Sequence, residues 1–138
     1  DGVAVINADD GFAPLWREAA QAVGASVRDF GLEHPAAVTA ECKPGDFSSD
    51  LKVRLPEGEI RFTLPVPGQH NVRNALAAAA CALAAGAPLS AIAQGLEAFR
   101  AVKGRSELKR DARGRCKLRS SRLVRSPCVG CRAGERSA

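Results

Sequence analysis

Hydrophobic and polar positions along this chain follow two different periods. Val3-Ala4-Val5-Ile6 is apolar throughout and runs into the polar cluster Asn7-Ala8-Asp9-Asp10-Gly11. That pattern predicts a buried, parallel-type strand ending in a loop. From Phe12 to Val23 the spacing becomes three and four. Leu15, Trp16, Ala19, Ala20 and Val23 then share one apolar helix face, and Gly24 is placed to stop the helix. Val27 to Leu32 supplies a second strand. Strand, helix and strand in this order predict a parallel pair with a right-handed crossover.

Beyond Ala36 the pattern changes. Val38-Thr39-Ala40 is a short strand candidate, and Lys43-Pro44-Gly45-Asp46 has the composition of a turn. Leu51 to Leu55 and Glu59 to Leu64 both alternate with period two around Pro56-Glu57-Gly58. They predict an antiparallel hairpin with one buried and one charged face. Asn71 to Ala85 is rich in alanine, the best intrinsic helix former, and Gly86 follows as its C′ residue. Pro88 opens a second helix near its N1 position, with Leu89, Ile92, Leu96 and Phe99 as its stripe. The two helices form an αα-hairpin, and the alanine-rich member is expected to lie buried against the sheet. Asp111 to Ala138 shows no aromatic residue and no sustained period, so irregular structure is expected there.

Composition sharpens this in three ways. A chain of 138 residues, 46% hydrophobic and 25% charged, has the size and balance of one globular domain. The net charge of +5 is unevenly spread: residues 1–100 hold 8 basic and 12 acidic side chains, residues 101–138 hold 12 and 3. The body is therefore acidic, which speaks against a nucleic-acid binder. Five cysteines, with no secretory signal, argue against a disulfide framework. No apolar run is long enough to cross a bilayer, and a cytoplasmic location is the expectation. A chain that opens on Asp1 directly before an apolar strand points to a segment of something longer.

The candidate chemistry lies in Gly68-Gln69-His70-Asn71-Val72-Arg73-Asn74. A Pro-Gly loop feeds a helix whose first turn carries two asparagines three residues apart, hence on one face. A carboxamide offers one acceptor and two donors, which complement the N6 and N7 edge of adenine. The plainer alternative is that Asn71 caps the helix and Asn74 is a solvated face residue.

The stretch Leu64-Pro65-x-Pro67-Gly68-x-His70-Asn71-x-x-Asn74-Ala75-x-Ala77-Ala78 resembles the segment of the Mur ligases that leads into the nucleotide-site helix. Phe99 to Arg105 resembles the family's stretch ending in Gly-Arg at a domain junction, and Ala4 to Asp10 resembles its strand followed by Asn-x-Asp-Asp. The three pieces stand in family order and cover residues 1 to about 110. The resemblance implies an α/β fold: the C-terminal part of a central ATPase domain over residues 1–104, with a parallel sheet, helices and an antiparallel hairpin. Residues 105–138 would be a junction and an irregular basic tail. It further implies a cytoplasmic, monomeric enzyme of peptidoglycan synthesis that uses ATP and Mg²⁺ to turn a peptide carboxylate into an acyl phosphate, which an amine then converts to an amide. The wording looks closest to the member that joins D-alanyl-D-alanine to UDP-N-acetylmuramoyl-tripeptide; another member of the superfamily is the alternative. Carried over by position, Asn71 is the adenine contact, Asn74 supports it, Arg105 reaches the ribose or phosphates, and His70 orients the loop. Asp9 and Asp10 could line the cleft, or simply form a solvated loop with Asp10 near a helix N-terminus.

Two features depart from the family pattern. No Gly-x-x-x-x-Gly-Lys-[Ser/Thr] loop occurs, and no residue matches a catalytic or Mg²⁺-binding position, so this chain is expected neither to hold ATP tightly nor to catalyse ligation. Downstream of Gly104-Arg105 the family's Asp-Ser-Tyr-Asn-like motif is replaced by Arg-, Ser- and Cys-rich text, which points to a shifted reading frame or an assembly error. Cys128-x-x-Cys131 with Cys116 offers three thiols and no histidine in the tail, too few for a structural zinc site. A rival class, a small basic nucleic-acid binder using residues 103–136, would need the tail's charge but has no stacking aromatics there.

Overall fold

The computed structural model describes residues 2–100 and the backbone of residues 107–110 and 116–119. The chain divides into two units, Asp1–Phe99 and Arg100–Ala138. In the first unit β1 (Val3–Asn7) and β2 (Ser26–Phe30) pair in parallel, with α1 (Ala13–Ala22) as the crossover. This is the predicted β-α-β unit. Gly24 (φ +70) ends α1: its N–H bonds Gln21 O and the next N–H bonds Ala20 O, which satisfies two of the helix's last carbonyls.

The expected hairpin is part of a three-stranded antiparallel sheet. Its order is β3 (Thr39–Pro44), β4 (Ser49–Leu55), β5 (Gly58–Leu64). The turn expected at residues 43–46 lies further on: Lys43 and Pro44 pair with Asp50 and Ser49, and Gly45 N–H closes the turn on Ser48 O. Pro44 is tolerated because β3 is an edge strand. Inward residues Leu51, Val53, Leu55, Ile60, Phe62 and Leu64 are buried, as the period of two required. Outward Arg54 ion-pairs with Glu41, and Lys52 and Arg61 with Glu59, so the opposite face is a ladder of solvated charge.

The helix α2 (Gln69–Ala84) begins two residues earlier than expected and packs against β1, β2 and β3. Val72, Ala75, Leu76, Ala79 and Ala80 form its buried stripe, so the alanine-rich helix is indeed interior. It ends as predicted: Gly86 (φ +82) donates to Leu83 O and Ala87 to Ala82 O. Pro88 then caps α3 (Leu89–Glu97), which buries Ile92 and packs on β5 and α2. Phe99 falls outside α3 and is 44% exposed.

The apolar face read for α1 is largely uncovered: of its members only Ala20 is buried, while Leu15, Trp16 and Val23 are 53%, 52% and 79% exposed. The period gives a helix its stripe, but two strands are too narrow a surface to cover it. In the second unit, β6 (Glu107–Arg110) pairs antiparallel with β7 (Cys116–Arg119), so part of the stretch expected to be irregular is a strand. Cys128 and Cys131 lie outside the described residues.

Candidate functional site

The loop Pro65–Gly68 leaves the last strand of the antiparallel sheet and turns into α2. Gly68 takes φ +100, a conformation that side chains resist, and serves as the helix N-cap. No side chain caps α2. Asn71, at the third helical position, instead reaches back and donates its Nδ2 to Pro67 O at 2.6 Å. It therefore braces the loop rather than capping the helix. One Nδ2 hydrogen and the Oδ1 oxygen remain available. Asn74 is exposed one turn on, whereas Asn71 is half-buried and borders the buried stripe, one turn before Ala75. His70 is exposed, with its ring against Gly68. Asn71, Asn74 and His70 are thus brought together on one helix start; Arg105 lies outside the described residues.

A cavity of about 360 Å³ lies between this helix start and β3, lined among others by Leu32, Ala40, Cys42, Gly68 and Val72. The two asparagines do not line it. Their acceptor-donor pairs suit a purine base on the outer face. Among the described residues no group of three or more His, Cys, Asp or Glu could hold a metal ion, and no helix is long and apolar enough to cross a membrane.

Beside this turn stands Asp9, which the sequence offered as a cleft residue or as part of a solvated loop; it is not solvated. Asp9, just past β1, has a side chain only 4% exposed. Its carboxylate accepts the backbone N–H groups of Leu32 (2.7 Å), Glu33 (3.0 Å) and His34 (2.8 Å). Burial pushes this carboxyl up, but the three amides, with the His34 ring, outweigh it and hold the carboxyl down to about 2. A β-carbon at Gly31 would come 2.8 Å from Asp9 Oδ1, so glycine is needed to admit the carboxylate. Arg73 Nε stands 3.7 Å from Asp9 Oδ2, and Arg73 also ion-pairs with Glu33. Asp10, by contrast, takes the expected place before α1, accepting Phe12 N–H at 2.8 Å. The one sequence signal for the Asp9 nest was a glycine directly after the second strand of a β-α-β unit.

Set against known proteins, residues 1–82 match the family described as the Mur ligase middle domain. The chain belongs to the Mur ligase family. Curated Mur ligases include the UDP-N-acetylmuramoyl-L-alanyl-D-glutamate–2,6-diaminopimelate ligase of Bacillus licheniformis, 38% identical over 106 residues, 76% of this chain and 21% of that one. The UDP-N-acetylmuramoyl-tripeptide–D-alanyl-D-alanine ligase of Haemophilus influenzae is also 38% identical over 106 residues, covering 76% and 22%. The crystal structure of MurF from Acinetobacter baumannii superposes with a TM-score of 0.74 at 37% identity, over 80% of this chain and 24% of that one. The chain thus spans about a fifth to a quarter of the length of the Mur ligases it matches.

Proposed function

We propose that this chain supplies the adenine-recognising part of an ATP-dependent amide-bond ligase of peptidoglycan synthesis, working in the cytoplasm. Residues 1–104 act as the C-terminal part of the central ATP-binding domain, and residues 105–138 as the junction beyond it. The observation that carries the reading is the pair Asn71 and Asn74 on the first turns of one helix, whose start Asn71 itself braces on Pro67. An amide held as that of Asn71 is can read a purine edge with less loss of side-chain freedom. The residues present fit the base of ATP. They do not fit its phosphates or Mg²⁺, since no Gly-rich Lys-Ser/Thr loop stands in the sequence and the described residues gather no cation ligands.

In the complete ligase ATP would activate a carboxylate of UDP-N-acetylmuramoyl-tripeptide as an acyl phosphate with loss of ADP. The amine of D-alanyl-D-alanine would then displace phosphate to form the amide. Equal 38% identity to a diaminopimelate-adding relative supports a second reading in which that amino acid is the amine. A ligase assay on a longer natural chain carrying this segment, offered each amine with its own acceptor, separates the two.

For the base site, the test is a titration of the ¹⁵N-labelled chain with AMP and, separately, GMP. AMP is expected to move the Asn71 and Asn74 side-chain amide resonances more than GMP does. Resonances unmoved by AMP would remove the reading.

A further inference from the structure

Arg73 sits between the two asparagines in sequence, yet it points to a different part of the fold. Asn71 turns back onto Pro67 O and Asn74 is exposed, while Arg73 reaches the loops that follow β1 and β2, where it meets Asp9 and Glu33. Its Nε is shut off from solvent and has no hydrogen-bond partner; the nearest charge is Asp9 Oδ2 at 3.7 Å. A buried cationic nitrogen is tolerated only beside a compensating charge. Asp9 provides one that cannot move, because three backbone amides hold its carboxylate and Gly31 leaves it room. The other partner, Glu33, is 57% exposed and on the surface, where an ion pair contributes little.

We propose that the Asp9–Arg73 pair positions the asparagine face: it fixes the rotation of the first turn of α2 relative to the ends of the parallel strands, and so sets where Asn71 and Asn74 aim. Neither Asp9 nor Arg73 touches the base; both act through the helix. A helical residue rotates with its neighbours, so a side chain tethered at Arg73 constrains the two flanking asparagines on the same turn. As regards the ligand, this inference rests on the base-site reading above; as regards the helix, it stands alone.

The test uses the full 138-residue chain, ¹⁵N-labelled, as wild type and as Arg73→Gln, Arg73→Lys and Glu33→Gln. Two quantities are read: the Asn71 and Asn74 side-chain amide resonances without ligand, and AMP affinity from their movement. Arg73→Gln is expected to displace both resonances and to weaken AMP about tenfold, the scale of a misaimed contact, with a thermal midpoint close to wild type. Arg73→Lys keeps the charge beside Asp9 and is expected to recover much of the affinity. Glu33→Gln is expected to match wild type. The inference is overturned if Arg73→Gln leaves the resonances in place, or if Glu33→Gln reproduces its effect. Should Arg73→Gln not fold, Asp9→Asn against Glu33→Gln decides: a larger displacement in the first supports the pair, and an equal or smaller one overturns it. If AMP moves nothing in the wild type, the base-site reading fails, and the ligand-free resonances still decide the positioning claim.

Discussion

The imidazole of His70 lies so close over Gly68 that a β-carbon on the glycine would stand 2.9 Å from its Cε1 and 3.1 Å from its Nδ1. Gly68→Ala therefore meets two obstacles, the ring and the positive φ of +100. A destabilisation of about 1–3 kcal/mol is expected in urea unfolding. Adding His70→Ala removes the ring but not the backbone strain, so the double variant should recover only part of the loss. Full recovery would mean that the backbone conformation costs nothing.

Asn71→Ala loses the hydrogen bond to Pro67 O and is expected to cost about 1 kcal/mol of stability. Its effect on AMP should be out of proportion to that, because the proposed site has the same amide reading the base. Asn74 makes no side-chain hydrogen bond to the described residues, so Asn74→Ala should leave stability near wild type while still weakening AMP. Paired thermal melts and AMP titrations check both. An Asn74→Ala variant that binds AMP as well as wild type would take Asn74 out of the site.

Asp9 makes stability depend on acid. Its carboxyl lies at about 2 in the folded chain against an ordinary 3.8, so the folded state favours the charged form. The resulting stabilisation, about 2 kcal/mol, is complete above roughly pH 5 and is lost as pH falls through 4 toward 2. Asp29, held low by the Ala37 amide and Arg17 against the effect of its own burial, adds a slope of the same sign. The informative quantity is thus the difference between wild type and Asp9→Asn in urea unfolding from pH 7 to pH 3. That difference should shrink on acidification; a constant difference would contradict the nest.

Trp16, the one tryptophan in the chain, is 52% exposed. Its fluorescence should be red-shifted and readily quenched by acrylamide at low protein concentration. A blue-shifted, protected emission would mean that the face it shares with Leu15 is covered in solution.

Much of this architecture can be read in the sequence, for local reasons. The β-α-β unit, the β4–β5 hairpin and both C-terminal glycine stops depend on periods and on residues adjacent in the chain. The strand β3 was foreseen only at its start, Val38-Thr39-Ala40; its second half was hidden because Lys43-Pro44-Gly45 has turn chemistry, and only the sheet's edge, a tertiary fact, makes room for Pro44. The apolar stripe of α1 was correctly placed on a helix, but a stripe does not say whether anything lies against it. That Asn71 and Asn74 stand together at one helix start was legible from their spacing. The partners of Asp9 and Arg73 were not, since they lie 23 to 64 residues away in the chain.

Alanine methyls on α2 carry a consequence for how the first unit comes apart. The helix rests on β1 and β2 of one sheet and on β3 of the other, with Ala79 and Ala80 fully enclosed. Such small side chains leave no slack for one sheet to slide while the other stays seated. Loss of the helix from either sheet exposes the core of both. Melting of residues 2–99 should therefore be a single cooperative event, with no stage at which the parallel pair is gone and the antiparallel sheet survives.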